Sequence, residues 1–178
     1  MKPIVVRCFA PIADARATVL ILGSMPGKAS LQAGQYYAHP QNRFWPIMGE
    51  LVGAGPALPY AARTRALQSS GIALWDVLAS CTRPTSSDSD IEDGSLVPND
   101  FVSFFARHSK IRRVYFNGTK AEECYRRRVG PLLKRNGVAY QRLPSTSPKH
   151  ASLSYARKLA AWRVIVRSDT QRRLRGAN

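Results

Sequence analysis

Residues 19–23 (Val-Leu-Ile-Leu-Gly) form a near-continuous apolar run, the pattern of a strand buried on both faces. A turn rich in Gly, Ser and Pro follows, and then a polar-aromatic stretch from Gln35 to Trp45. Phe44, Trp45, Met48, Leu51 and Val52 recur at helical spacing, which predicts a helix over 43–53 with that face inward. A second helix is predicted over 60–69 and a second strand over 71–77. Asn99 stands where it would cap a helix carrying Phe101, Phe104 and Phe105. A third strand over 113–116 ends at Asn117-Gly118, a helix runs from 119 to about 135, a fourth strand spans 138–143, and a last helix runs from 151 to about 166. Strands alternating with helices predict an α/β protein: a three-layer α/β/α fold with a central, mainly parallel four-stranded sheet. Such sheets bind ligands at the carboxyl ends of their strands. Here the loops at those ends are 23–45, 117–120 and 144–150.

Charge sharpens the picture. The 178 residues suffice for one domain, with a basic tail from about residue 167, and carry a net charge of +16. Residues 1–100 are balanced, with 8 Lys/Arg against 8 Asp/Glu, whereas 101–178 hold 19 against 3. A one-sided basic surface is the footprint of a polyanion binder, nucleic acid or anionic membrane. Solvated helix faces and a basic tail are the plainer reading of the same charges. No long apolar span or amphipathic anchor points to a membrane. Cys8, Cys81 and Cys124 are scattered and lack a C-x-x-C pair, which fits a reducing prokaryotic cytosol and argues against structural zinc or a four-cysteine cluster. The apolar run at the N-terminus is too short for a signal peptide. Residues 82–100, rich in Ser, Asp, Thr and Pro, read as a surface loop, and the chain reads as a monomer.

The turn Gly23-Ser24-Met25-Pro26-Gly27-Lys28-Ala29-Ser30 is not a phosphate-binding P-loop. Three residues rather than four separate its glycines, Ala29 follows Lys28 where a hydroxyl is needed, and Pro26 removes an N–H. The aromatics and the Asn beyond it, Tyr36, Tyr37 and Asn42, are the residue types that stack on a flat base and read its edge.

Five motifs occur in order: Gly-Ser-Met-Pro-Gly at 23–27, His-Pro-x-Asn-x-Phe-Trp at 39–45, Leu74-Trp75-Asp76, Phe116-Asn117-Gly118 and Ser145-Thr146-Ser147-Pro148. Together they resemble the uracil-DNA glycosylase superfamily, and within it the hypoxanthine-DNA (deoxyinosine) glycosylase branch, over roughly residues 9–165. The resemblance implies that Gly23, Ser24, Met25, Pro26 and Gly27 line a base pocket, with Ser24 offering a backbone donor. Met25 occupies the place where mismatch-specific relatives carry a water-handling Asn; the hypoxanthine branch is similar in lacking it and implies a catalytic role for Asn42. Tyr37 matches the aromatic that stacks on the flipped base. Ser145, Thr146, Ser147, Pro148, Lys149 and His150 match the loop that enters the duplex, with Lys149 or His150 where relatives have an apolar wedge.

The chemistry is coherent with those residues. Deamination turns cytosine into uracil and adenine into hypoxanthine, placing a ring carbonyl beside a ring N–H. A side-chain amide carries the complementary N–H₂ and C=O. Neutral donors from Asn42 or the backbone at Ser24 would stabilise charge on the departing base without a metal or cofactor. Other readings stand beside these. Asn42 can cap the following helix, and Phe44, Trp45 and Trp162 read as core. His39, extended before Pro40, positions its loop or touches the base. Asp76 is a salt-bridge or cap residue, or a base for water. Asn117 is a turn former or meets a phosphate. The function predicted is a monofunctional DNA glycosylase for deaminated bases. The alternatives are a uracil-specific enzyme, in which Met25 narrows the site, and a non-catalytic DNA-binding module.

Overall fold

The computed structural model describes residues 5–82, 93–133 and 135–167. Most of the Ser/Asp-rich stretch and the basic tail lie outside the described residues. Four strands, β2 (Val19–Gly23), β3 (Ile72–Asp76), β6 (Arg113–Asn117) and β7 (Ala139–Leu143), form a wholly parallel sheet in the order β3-β2-β6-β7. Helices flank it, as the alternating pattern requires: α1 (Lys28–Ala33), α2 (Phe44–Val52), α3 (Tyr60–Ser69), α4 (Phe101–Arg107), α5 (Thr119–Arg128) and α6 (Tyr155–Trp162). Leu20, Ile21 and Leu22 of the central strand are wholly buried, which is why that strand reads as an unbroken apolar run. β3 lies at an edge but is equally buried, because the segment at Ile12 bridges Leu74 through two backbone hydrogen bonds of 2.8 and 2.9 Å and covers it.

A second, three-stranded antiparallel sheet, β1 (Val5–Arg7), β4 (Leu78–Thr82) and β5 (Val97–Pro98), was not in the sequence reading. Its strand β4 leaves β3 directly after Val77. At that junction Val77 N–H donates to the Gly23 carbonyl at 2.8 Å and Leu78 N–H to the Ser24 carbonyl at 3.2 Å. The second sheet therefore pins the turn that follows β2.

Three element boundaries differ from expectation, each for a local reason. Asp100, not Asn99, caps α4, its carboxylate accepting from Ser103 N–H at 3.0 Å. Asn99 instead donates Nδ2 to the Asp76 carbonyl at 2.8 Å. The helix predicted to reach about 135 ends at Arg128, just before Gly130-Pro131. The last helix begins only at Tyr155, where Ser154 caps it by accepting from Arg157 N–H.

Candidate active site

A cavity of about 930 Å³ opens at the carboxyl ends of β2, β3, β6 and β7. Gly23, Ser24, Met25, Pro26, Gly27, Tyr37, His39, Asn42, Asn117 and all six residues from Ser145 to His150 line it. Every residue singled out from sequence as catalytic, base-binding or DNA-binding thus faces one space, together with Asp76, Thr119, Lys120 and Glu123. The crossover topology explains this convergence, since all four parallel strands end on the same side.

The wall begins with two adjacent tyrosines. The expectation for an extended segment is that they point opposite ways; the chain instead turns, and Tyr37 adopts φ 53°, the left-handed region. A bulky residue there costs about 1–3 kcal/mol, an expense seen where a side chain must be aimed. Tyr36 goes into the core, 3% exposed, donating its hydroxyl to the Ala10 carbonyl at 3.0 Å. Burial, then the Asp76 charge, hold its phenol far above its ordinary pKa, so it stays a neutral donor. Tyr37 is half-buried, its ring stacked on Phe44 with centroids 4.2 Å apart. Phe44 rests in turn edge-on against Trp162 of α6. The core readings of Phe44, Trp45 and Trp162 hold, and the first and last of these form the backing for Tyr37.

Asn42 is half-buried at the start of α2. Its Oδ1 accepts from Phe44 N–H at 2.9 Å, which fixes which end of the amide is oxygen. A capping-type bond and a place in the cavity therefore coexist. The acceptor half of the amide is held by the backbone, and the N–H₂ end is the half left to address the cavity. His39 is exposed and shapes this loop: its Nδ1 accepts from Gln41 N–H at 3.2 Å and its carbonyl from Asn42 N–H at 2.9 Å.

The 144–150 loop is held at three points. Trp162 Nε1 donates to the Pro144 carbonyl at 2.9 Å. Asn117 grips Thr146 with both ends of its amide, Nδ2 donating to Oγ1 and Oδ1 accepting from the backbone N–H, each at 2.9 Å. Arg43 N–H donates to the Thr146 carbonyl at 3.0 Å, tying the Asn42 loop to this one. Lys158 Nζ donates to the His150 carbonyl at 2.6 Å. Thr146 is wholly buried, so Asn117 and Thr146 shape the loop while Lys149 and His150 stand exposed at its tip. Asn117→Ala leaves the Thr146 N–H and hydroxyl without their partner, at a cost of about 1–3 kcal/mol. A lowered melting temperature, with lower turnover at a temperature where the variant is folded, is the expected outcome; an unshifted melt would contradict this clamp.

Lys158 and Asp76 are the residues whose part in the site the sequence reading missed or left open. Lys158 is only 4% exposed, and burial, with Arg43 adding to it, lowers its pKa from the ordinary lysine value. Its signal was its spacing: Tyr155, Lys158, Leu159 and Trp162 share one helical stripe, three of them apolar. Asp76 ends β3 beside Gly23, is 3% exposed, and lines the cavity. A Cβ placed on Gly23 would stand 2.5 Å from Asp76 Oδ1 and 2.9 Å from Tyr37 Oη, so both oxygens lie close over this glycine. Lys28, Lys149 and His150 are exposed at the cavity rim. Among the described residues no group of three or more His, Cys, Asp or Glu is arranged to hold a metal, and no helix is long and apolar enough to cross a membrane.

Comparison with known proteins gives the family. The uracil DNA glycosylase superfamily model matches residues 10–169. A Methanosarcina acetivorans protein named hypoxanthine DNA glycosylase is 34% identical over 162 residues, covering 90% of this chain and 98% of its own. A Methanosarcina barkeri protein of the same name is 34% identical over 140 residues, covering 78% and 84%. A solution NMR structure from Methanosarcina acetivorans, described as a candidate uracil DNA glycosylase, superposes with a TM-score of 0.73 at 32% identity, covering 92% of this chain and all of that one. With the family model matching nearly the whole chain and relatives 34% identical over most of their length, the chain belongs to the uracil DNA glycosylase superfamily.

Proposed function

We propose that this DNA glycosylase extrudes a deaminated base, hypoxanthine ahead of uracil, into the cavity and hydrolyses its N-glycosidic bond to begin base-excision repair. Water adds to C1′ of the deoxyribose, the C–N bond breaks, and the base leaves with the bonding electrons and takes up a proton. The products are free base and an abasic site. The observation that carries the reading is Asn42: an amide on the cavity wall with its oxygen held by Phe44 N–H and its N–H₂ available to a base carbonyl. That donor meets the oxygen on which charge builds as the base departs. Tyr37, backed by Phe44, offers the stacking surface, and unstacking in the duplex costs a few kcal/mol that such stacking offsets. Lys149 and Lys28 supply charge, and His150 a hydrogen-bonding ring, to the phosphates around the mouth, in a role that positions DNA without reading it.

Hydrolysis without a covalent adduct is favoured by the lysines. Among the described residues around the cavity, Lys28 and Lys149 are exposed, Lys120 is half-buried, and the buried Lys158 is bonded to the His150 carbonyl. A uracil preference has one observation in its favour: Met25, 7% exposed, fills part of the cavity wall. Labelled duplexes carrying hypoxanthine, uracil or xanthine decide. The expected result is alkali-labile abasic product from the hypoxanthine duplex at the highest rate, with no borohydride-trapped protein–DNA adduct. Faster cleavage at uracil selects the narrower enzyme, and no product from any duplex overturns the reading.

A further inference from the structure

We propose that Tyr60, the first residue of α3, is a positioning residue for base capture: its hydroxyl and the Trp45 indole hold the Tyr36 backbone, and through it they aim the Tyr37 ring at the flipped base. The inference rests on the reading of this cavity as a deaminated-base pocket and deepens it.

The strain comes first. Tyr37 is held at φ 53°, where a bulky side chain persists only if its surroundings over-determine it. The peptide units on either side of Tyr37 set its two torsions, and each is held by a side chain. On one side Trp45 Nε1 donates to the Tyr36 carbonyl at 2.8 Å. On the other, Ala38 N–H donates to Ser30 Oγ at 3.2 Å. A carbonyl held alone can still swing, because a counter-rotation at the Tyr36 Cα absorbs the motion. Tyr60 closes that route: Tyr36 N–H donates to its hydroxyl at 3.0 Å. With the Tyr36 phenol anchored on the Ala10 carbonyl, backbone and side chain of this residue are fixed together. Without the clamp the chain relaxes toward negative φ, and the Tyr37 ring leaves the Phe44 face on which it is stacked at 4.2 Å.

The clamp is built from behind the cavity. Neither Tyr60 nor Trp45 is among the residues lining it. Trp45 is 3% exposed, and its ring meets the half-buried Tyr60 edge-on with centroids 5.8 Å apart. The Arg63 guanidinium, about one turn along α3 from Tyr60, covers both rings, 4.8 Å from the Trp45 centroid and 5.2 Å from that of Tyr60. It thereby fixes the tilt of the two rings that reach the Tyr36 backbone. Burial raises the Tyr60 pKa from the ordinary tyrosine value, so its oxygen accepts as a neutral hydroxyl. Core packing alone would need the rings and the arginine. The two side-chain bonds fall on the N–H and the carbonyl of the one residue that precedes the strained tyrosine, and these point to aiming it.

The test uses Tyr60→Phe, which deletes the hydroxyl and keeps the ring. Affinity for a duplex holding a 2′-fluoro-arabino nucleotide of hypoxanthine, which resists cleavage, is divided by affinity for an abasic-analogue duplex. That ratio reports on the captured base, since the abasic duplex offers none to stack. Tyr37→Ala is expected to lower it ~5–100-fold, the range of one base–aromatic stack; Tyr37→Leu takes its place should the alanine variant fail to melt cooperatively. Tyr60→Phe is expected to lower the ratio ~3–10-fold, the range of one hydrogen bond, with affinity for the abasic duplex unchanged. In the Tyr37→Ala background Tyr60→Phe is expected to lower it no further, because the hydroxyl acts through the phenol ring. An unchanged ratio in Tyr60→Phe, a ratio insensitive to Tyr37→Ala, or a loss that recurs undiminished without the Tyr37 ring overturns the proposal, since a merely structural hydroxyl acts whether or not that ring is there. Any of these beside normal excision by the wild type overturns the positioning role alone; a wild type that excises no deaminated base overturns the proposed function instead.

Discussion

Asn42→Asp is expected to lower base excision by ~10²–10³-fold, the usual effect of removing one preorganised donor, while leaving the fold as stable as the wild type. The separation follows from the two ends of this side chain. An aspartate keeps an oxygen where Phe44 N–H donates at 2.9 Å, so the turn into α2 is preserved. A negative charge near a helix N-terminus is, if anything, favourable. What changes is the other end, where an N–H₂ becomes an oxygen that repels a base carbonyl. Asn42→Ala removes both ends, and it is expected to match the activity loss and add a stability loss of about 1 kcal/mol. Affinity for duplex DNA should change little in either variant, because phosphate contacts dominate it. Single-turnover excision, thermal melting and binding to an abasic-analogue duplex measure the three quantities separately. Normal turnover by the aspartate variant would remove Asn42 from the mechanism.

The parallel sheet and the convergence of three loops were legible in sequence because both rest on local signals. Val19–Gly23 is buried on both faces and says so in its composition, and parallel strands place their following loops on one side whatever those loops contain. The antiparallel sheet was not legible. Val5–Arg7 is three residues long and pairs with Ser80–Thr82, far along the chain, and β5 is a two-residue strand ending in Pro98. Such pairing is fixed by tertiary contact and leaves almost no periodicity to read. The choice between Asn99 and Asp100 as cap turned on one bond, Asn99 Nδ2 to the Asp76 carbonyl, which no local rule reveals. Lys158 lay hidden because a lysine on an apolar stripe is normally read as a solvated interruption. Burial and the His150 carbonyl make it part of the site's frame.

Gly23→Ala is expected to abolish most activity through a single methyl group. Its Cβ would stand 2.5 Å from Asp76 Oδ1 and 2.9 Å from Tyr37 Oη, well inside van der Waals contact. Relief by moving Gly23 is blocked, since its carbonyl is held by Val77 N–H at 2.8 Å and β2 is paired on both sides. The strain must therefore pass to the two side chains, and both line the cavity. Tyr37 is pinned by its φ of 53° and by the Phe44 ring 4.2 Å away, so displacement at its hydroxyl tilts the surface on which a base would stack. A shift of about 1 Å in a positioning group costs on the order of 10²-fold in rate, and overpacking adds about 1–3 kcal/mol of destabilisation. The two effects separate by temperature: well below the melting transition the variant is folded, and the loss of excision should persist there. Activity that returned in full on cooling would mean that the glycine serves the fold alone. Persistent loss would show that its missing side chain is what leaves room for the Asp76 carboxylate and the Tyr37 phenol in the cavity wall.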